Sequence, residues 1–195
     1  MKWIWATVIG GFLLACLPFV VPTEWRIQAS LSSDEQSLTT IGHQLKRDFP
    51  DVAVVDDANL QRKLIESEKT ILVDVRTAEE FAVSHLPDAI RVDPDAGADD
   101  LLAAIPDRLD GRDVVFYCSV GVRSTILAAR TYSALKAKSV RSIANLSGGI
   151  FAWHNHKRTL IGMNGNVTDW LHPYDDQWGK MASRKDRLSF KPKPS

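Results

Sequence analysis

The chain has 195 residues, 45% of them hydrophobic and 25% charged, with 24 basic side chains balancing 24 acidic ones. Such a composition is globular, and it leaves room for one domain of ordinary size. A formal net charge of zero removes the usual electrostatic reason to expect a nucleic-acid partner, and two cysteines, Cys16 and Cys118, leave no structural disulfide to be expected.

Nineteen residues without a formal charge, Trp3 to Val21, open the chain. At about 1.5 Å per residue in a helix this nearly matches a hydrocarbon layer of about 30 Å, and Trp3, Trp5 and Trp25 flank it as interfacial aromatics would. Residues 1–22 are therefore expected to form a single-pass membrane anchor. Two alternatives are a cleaved secretory signal and a lipoprotein box, Leu13-Leu14-Ala15-Cys16, with Cys16 as the lipidated residue. Lys2 precedes the span while Glu24 and Arg26 nearly cancel after it, so the amino terminus is expected inside and the domain outside. In a bacterium that side is the periplasm.

Residues 23–49 read as a polar tether followed by an amphipathic helix, Asp34 to Phe49, with Leu38, Ile41 and Leu45 along one side. From residue 50 to 160, strand-like runs at Val52–Val55, Thr70–Val75, Ala89–Val92, Asp113–Cys118 and Val140–Asn145 alternate with helical patterns. Continuous apolar strands separated by helices predict an α/β fold whose parallel sheet is covered on both faces. Residues 161–195 are an extension rich in aromatics, from Trp170 to Trp178. It is expected to pack back on the domain, the alternative being a roof over the functional crevice. From Lys180 onward a basic, mobile tail is expected.

The chemistry concentrates in Cys118-Ser119-Val120-Gly121-Val122-Arg123-Ser124, between an apolar strand and a helical stretch. A helix mouth offers unpaired N–H groups and partial positive charge, so a thiol there, close to Arg123, is expected to ionise at neutral pH. Gly121 permits a tight turn that points amides inward, and Ser124 is placed to cap the helix. The alternative is an ordinary buried thiol at the end of a core strand.

This loop resembles the active-site loop of the rhodanese sulfurtransferase family, Cys-x-x-Gly-x-Arg-Ser. Two other stretches share the likeness. Leu72-Val73-Asp74-Val75-Arg76, with Glu79-Glu80-Phe81 and His85-Leu86-Pro87-Asp88-Ala89-Ile90, resembles the family's upstream strand, helix and turn, although Ser84 and Asp88 stand where glycine is usual. Leu146-Ser147-Gly148-Gly149, followed by Trp153, resembles its Leu-x-Gly-Gly segment. The resemblance covers about residues 50 to 160 and implies a central five-stranded parallel sheet with helices on both faces.

It also implies that Cys118 is the catalytic nucleophile, that Ser119, Val120, Gly121, Val122, Arg123 and Ser124 bind the substrate, and that no cofactor or metal takes part. A sulfane sulfur would pass from a small anion such as thiosulfate or polysulfide, through a Cys118 persulfide, to a thiol or cyanide-like acceptor. Arg123 has two open roles: gripping an oxyanion, or pairing with a carboxylate to brace the loop. Asp74, Arg76, His85, Gly148 and Gly149 are expected to give structural support, with Arg76 paired to Glu79 or Glu80 and Asp74 accepting amides of the next turn. A phosphatase or arsenate reductase is the rival enzyme, although its loop sets Arg six positions after Cys, whereas Arg123 follows Cys118 by five. A non-catalytic binding or sulfur-carrier module is the other alternative.

Overall fold

The structure is a computed structural model that describes residues 34–66 and 69–193. Five parallel strands form one sheet in the order β1-β5-β4-β2-β3: β1 (Ala53–Val55), β2 (Thr70–Asp74), β3 (Ile90–Arg91), β4 (Asp113–Tyr117) and β5 (Ser142–Leu146). Helix α1 (Asp34–Asp48) precedes the strands, α2 (Asp57–Glu66), α3 (Ala78–Val83), α4 (Ala98–Ala104) and α5 (Val122–Ala137) lie between them, and α6 (Gly149–Asn155) follows β5.

Every residue of the central strand β4 is buried, so both faces of the sheet are covered there, as parallel sheets require. Ile71, Val73, Val114, Phe116 and Ile143 on one face pack with Leu101 of α4 and Leu127 and Leu135 of α5. Each such side chain contributes roughly 1.5–3 kcal/mol by leaving water. On α1 the predicted stripe is real: Leu38, Ile41 and Leu45 are all buried.

The sheet places three carboxyl ends side by side. Asp74 of β2 lies opposite Tyr117 of β4, and Asn145 of β5 lies opposite Phe116, so the segments leaving β2, β4 and β5 meet at one edge. Open parallel sheets bind ligands at that edge.

After α6 the chain forms a small hairpin, β6 (Leu160–Ile161) with β7 (Val167–Thr168), which docks through antiparallel bonding of Ile161 with His85. The extension then packs against the domain. The expected mobile tail from Lys180 is not found: Met181 and Ala182 are buried, 3-10 turns occupy Trp178–Met181 and Lys185–Arg187, and Leu188 bridges to Leu171. A few apolar anchors outweigh the basic composition. The anchor, signal or lipoprotein segment of residues 1–22 lies outside the described residues. Among the described residues no helix is long and apolar enough to cross a membrane.

Candidate active site

Strand β4 ends at Tyr117, α5 begins at Val122, and Cys118 to Gly121 fill the gap. Cys118 extends the β4 alternation of Val114 and Phe116 into the core, leaving the residue 1% exposed. Among the described residues one amide, Gly121 N–H, reaches its Sγ, at 3.2 Å. The thiol is thus more enclosed than a loop at a helix mouth suggests. Ser124 does not cap α5: its Oγ donates to Asn145 Oδ1 at 2.6 Å, which ties the helix start to β5. Val120 is buried and Val122 half-buried.

The double glycine sits beneath this loop. Gly148 caps α6, and the first amides of that helix turn toward the loop carbonyls: Ile150 N–H donates to Cys118 O at 2.9 Å, and Phe151 N–H to Ser119 O at 3.1 Å. Gly149 lies in the gap with φ +57°, and a Cβ there would stand 2.3 Å from Cys118 O. Only glycine permits this approach.

Of the two roles open to Arg123, the structure shows the brace. Its Nη1 and Nη2 each donate to a Glu80 carboxylate oxygen at 2.8 Å, and Nη2 also reaches Ser119 Oγ at 3.0 Å. Ser119 Oγ donates to Glu80 Oε1 at 2.9 Å, closing the cluster. Glu80 is held there by a capping box with Thr77 at the start of α3. Burial alone would raise the Glu80 pKa, but the hydrogen bonds and charge of Arg123, with Arg76 beyond, bring it down to about 2. The ring of Tyr174, from the extension, lies 4.8 Å from the Arg123 guanidinium.

Asp74 and Arg76 form the buried support behind the loop, with a different pairing from the one expected. Arg76 binds Asp74, not Glu79 or Glu80, through Nε at 2.9 Å and Nη2 at 2.6 Å, and Nη2 also donates to Ser84 O at 2.7 Å. Asp74 accordingly accepts from a guanidinium and not from turn amides. Residues two apart at a strand end share a face, which makes this local pair the natural one. Tyr117, fully buried beside them, accepts Leu86 N–H at its hydroxyl, and burial followed by the charge of Asp74 pushes its pKa well up. His85 stacks on Phe81 with ring centroids 3.9 Å apart and touches Phe81 O through Nδ1. Asp88 adopts φ 59°, so it makes the left-handed turn for which glycine is usual.

Sequence reasoning did not place Glu80 in the site, and it reached Tyr174 only through the alternative that the extension roofs the crevice. The Thr77-x-x-Glu80 spacing is a readable capping signal, but its second use, 43 residues along the chain at Arg123, has no local signature.

A parallel sheet with a cysteine loop at its carboxyl edge defines a class, and the comparisons agree. The rhodanese-like domain family matches residues 57–156, and the chain belongs to that family. A sulfurtransferase from Allochromatium vinosum is 32% identical over 115 residues, covering 57% of this chain and 96% of that protein. A tRNA uridine(34) hydroxylase from Staphylococcus haemolyticus is 29% identical over 100 residues, which span 50% of this chain but only 30% of the hydroxylase. Among solved structures, a thiosulfate sulfurtransferase from Pseudomonas aeruginosa shares the fold with TM-score 0.51 at 20% identity, covering 76% of this chain and 26% of that one.

Proposed function

We propose that the protein is a sulfurtransferase in which Cys118 carries the sulfur as a persulfide. The observation that carries this reading is the Cys118 loop, seated between the mouth of α5 and the amide-donating start of α6, in a chain of which 57% is similar to 96% of a named sulfurtransferase. The Cys118 thiolate attacks the outer sulfur of the donor. One S–S bond forms at Sγ, the donor's own S–S bond breaks, and its electron pair leaves with the departing thiolate or sulfite. A thiol or cyanide-like acceptor then attacks the outer sulfur and restores the thiolate. The Gly121 amide and the α5 mouth favour the negative charge in both states. Phosphoryl transfer is disfavoured because it needs an arginine free to hold a dianion, and Arg123 is paired with Glu80.

One observation favours a second reading, a non-catalytic rhodanese-like module: at 1% exposure Cys118 is as enclosed as a structural thiol. Mass spectrometry after exposure to thiosulfate or an alkyl hydropersulfide separates the two. One sulfur atom added at Cys118, and removed by a thiol, supports transfer; no addition from either donor overturns it. The anchor proposal, with the domain outside the cytoplasm, rests on Trp3 to Val21 and the charges around it. A topology reporter fused after Ser195 and active only in the cytoplasm would reverse it.

A further inference from the structure

The extension after the family-matched residues 57–156 reaches the active-site loop, and it does so at the one cation of that loop. Leu171 is buried and paired with Leu188, His172 is 8% exposed with its ring edge-on to Phe190 at 5.2 Å, and Tyr174 follows in a left-handed turn with φ 67°. That turn is closed by Tyr174 N–H donating to His172 Nδ1 at 3.0 Å. A non-glycine residue in this conformation is sterically costly and persists where its surroundings impose it. The turn delivers the Tyr174 ring to the Arg123 guanidinium.

Arg123 is consequently engaged on two sides. Its edge is taken by Glu80 and Ser119, and Tyr174 lies against it, within cation–π range. The Glu80–Arg123 pair has no net charge, and Ser119, Val120 and Val122 bring none. A dianion entering this loop would meet amides and dipoles but no uncompensated loop cation. A sulfane donor with one charge or none has less hydration to lose and less need of a cation.

We infer that Tyr174 is a positioning residue of the sulfur-transfer site, holding Arg123 in its pair with Glu80 so that the site selects low-charge donors, organic hydropersulfides, over the thiosulfate dianion. This rests on the sulfurtransferase reading. The reaction balances as Cys118 thiolate plus R–S–SH giving the Cys118 persulfide anion and R–SH, with no external oxidant or reductant.

The test is the ratio of kcat/KM for thiosulfate to that for an alkyl hydropersulfide, measured on the full chain. The unsubstituted protein should favour the hydropersulfide. Tyr174→Ala should raise the thiosulfate ratio about five-fold, through a lower KM, by loosening the clamp. Tyr174→Phe keeps the ring and should restore the original ratio. Glu80→Gln keeps the capping box but leaves the arginine uncompensated, and should raise the ratio about ten-fold. If Glu80→Gln fails to fold, the Tyr174 pair still decides. A thiosulfate preference in the unsubstituted protein, or a ratio unmoved in Tyr174→Ala, overturns the inference while leaving sulfur transfer standing. Absence of turnover with both donors removes the sulfurtransferase reading, and this inference with it.

Discussion

The two edges of the sheet carry the same ion-pair motif for different ends. At the carboxyl edge, Glu80 is buried and paired with Arg123; at the amino edge, Asp113 is buried and receives Lys63 at 2.8 Å, Arg141 at 2.6 Å and Ser142 at 2.6 Å. Both carboxyl groups are held below the ordinary carboxylate range, Asp113 chiefly by its hydrogen bonds with Arg141. The amino edge also has space, an open groove of about 680 Å³ lined by Arg62, Lys63, Asp113 and Arg141. Yet that groove contains no thiol, and its Ser142 hydroxyl is spent on Asp113. Its pairing fastens α2 and β5 to the start of β4, with cations that remain about half exposed. The difference teaches that volume and buried charge do not define a site. What sets the carboxyl edge apart is a thiol at a helix mouth where strand ends converge.

The comparison breaks most sharply at Cys118. Cys118→Ser should abolish sulfur loading, a loss of roughly 10³-fold or more in turnover, with little change in stability because the volume is nearly kept. Loading of the serine variant, seen by mass spectrometry, would contradict the assignment. Glycines supply the next contrast. Gly149→Ala sets a methyl group against Cys118 O and Ser119 O and should cost about 3 kcal/mol in urea unfolding. Gly111→Ala, at the amino edge with φ +67° and nothing within 4 Å, should cost only about 1 kcal/mol. Asp113→Ala should fall between them at about 2 kcal/mol, since Lys63 and Arg141 can turn to solvent, and sulfur transfer by the folded fraction should be retained.

The central strands were legible because they are nearly continuous buried runs, so the apolar segments 71–73 and 114–117 stand out between helical patterns. The position of Cys118 followed from the same pattern. What stayed hidden is long-range or too short to be periodic. The two-residue strands β6 and β7 carry no alternation to read. The choice between binding and bracing for Arg123 was decided by Glu80, and no local pattern links residues 43 apart. In the tail, charge suggested mobility while Met181, Ala182 and Leu188 provided anchors.

The smallest effect is read by pH. At the carboxyl edge and in the extension, burial lowers the pKa values of His85, His154 and His172 below 6.5. His154 donates Nε2–H to Asp169 O while its buried Nδ1 has no hydrogen-bond partner among the described residues, and His172 uses Nδ1 to accept from Tyr174. Protonating either ring therefore puts a proton where no acceptor waits, or breaks the Tyr174 turn. The unfolded chain takes up these protons near pH 6.5 and the folded chain only at lower pH, so stability declines as pH drops below about 6.5. Each histidine adds a slope of at most about 1.4 kcal/mol per pH unit. Glu80 and Asp113, whose folded pKa values are depressed, stabilise the fold above about pH 4.5, and that share is lost as pH falls further. Denaturant midpoints measured from pH 7.5 to 3 should show two legs. His172→Phe should shrink only the first leg and Asp113→Asn only the second; equal changes in both legs would mean that the histidines and the carboxylates do not titrate independently.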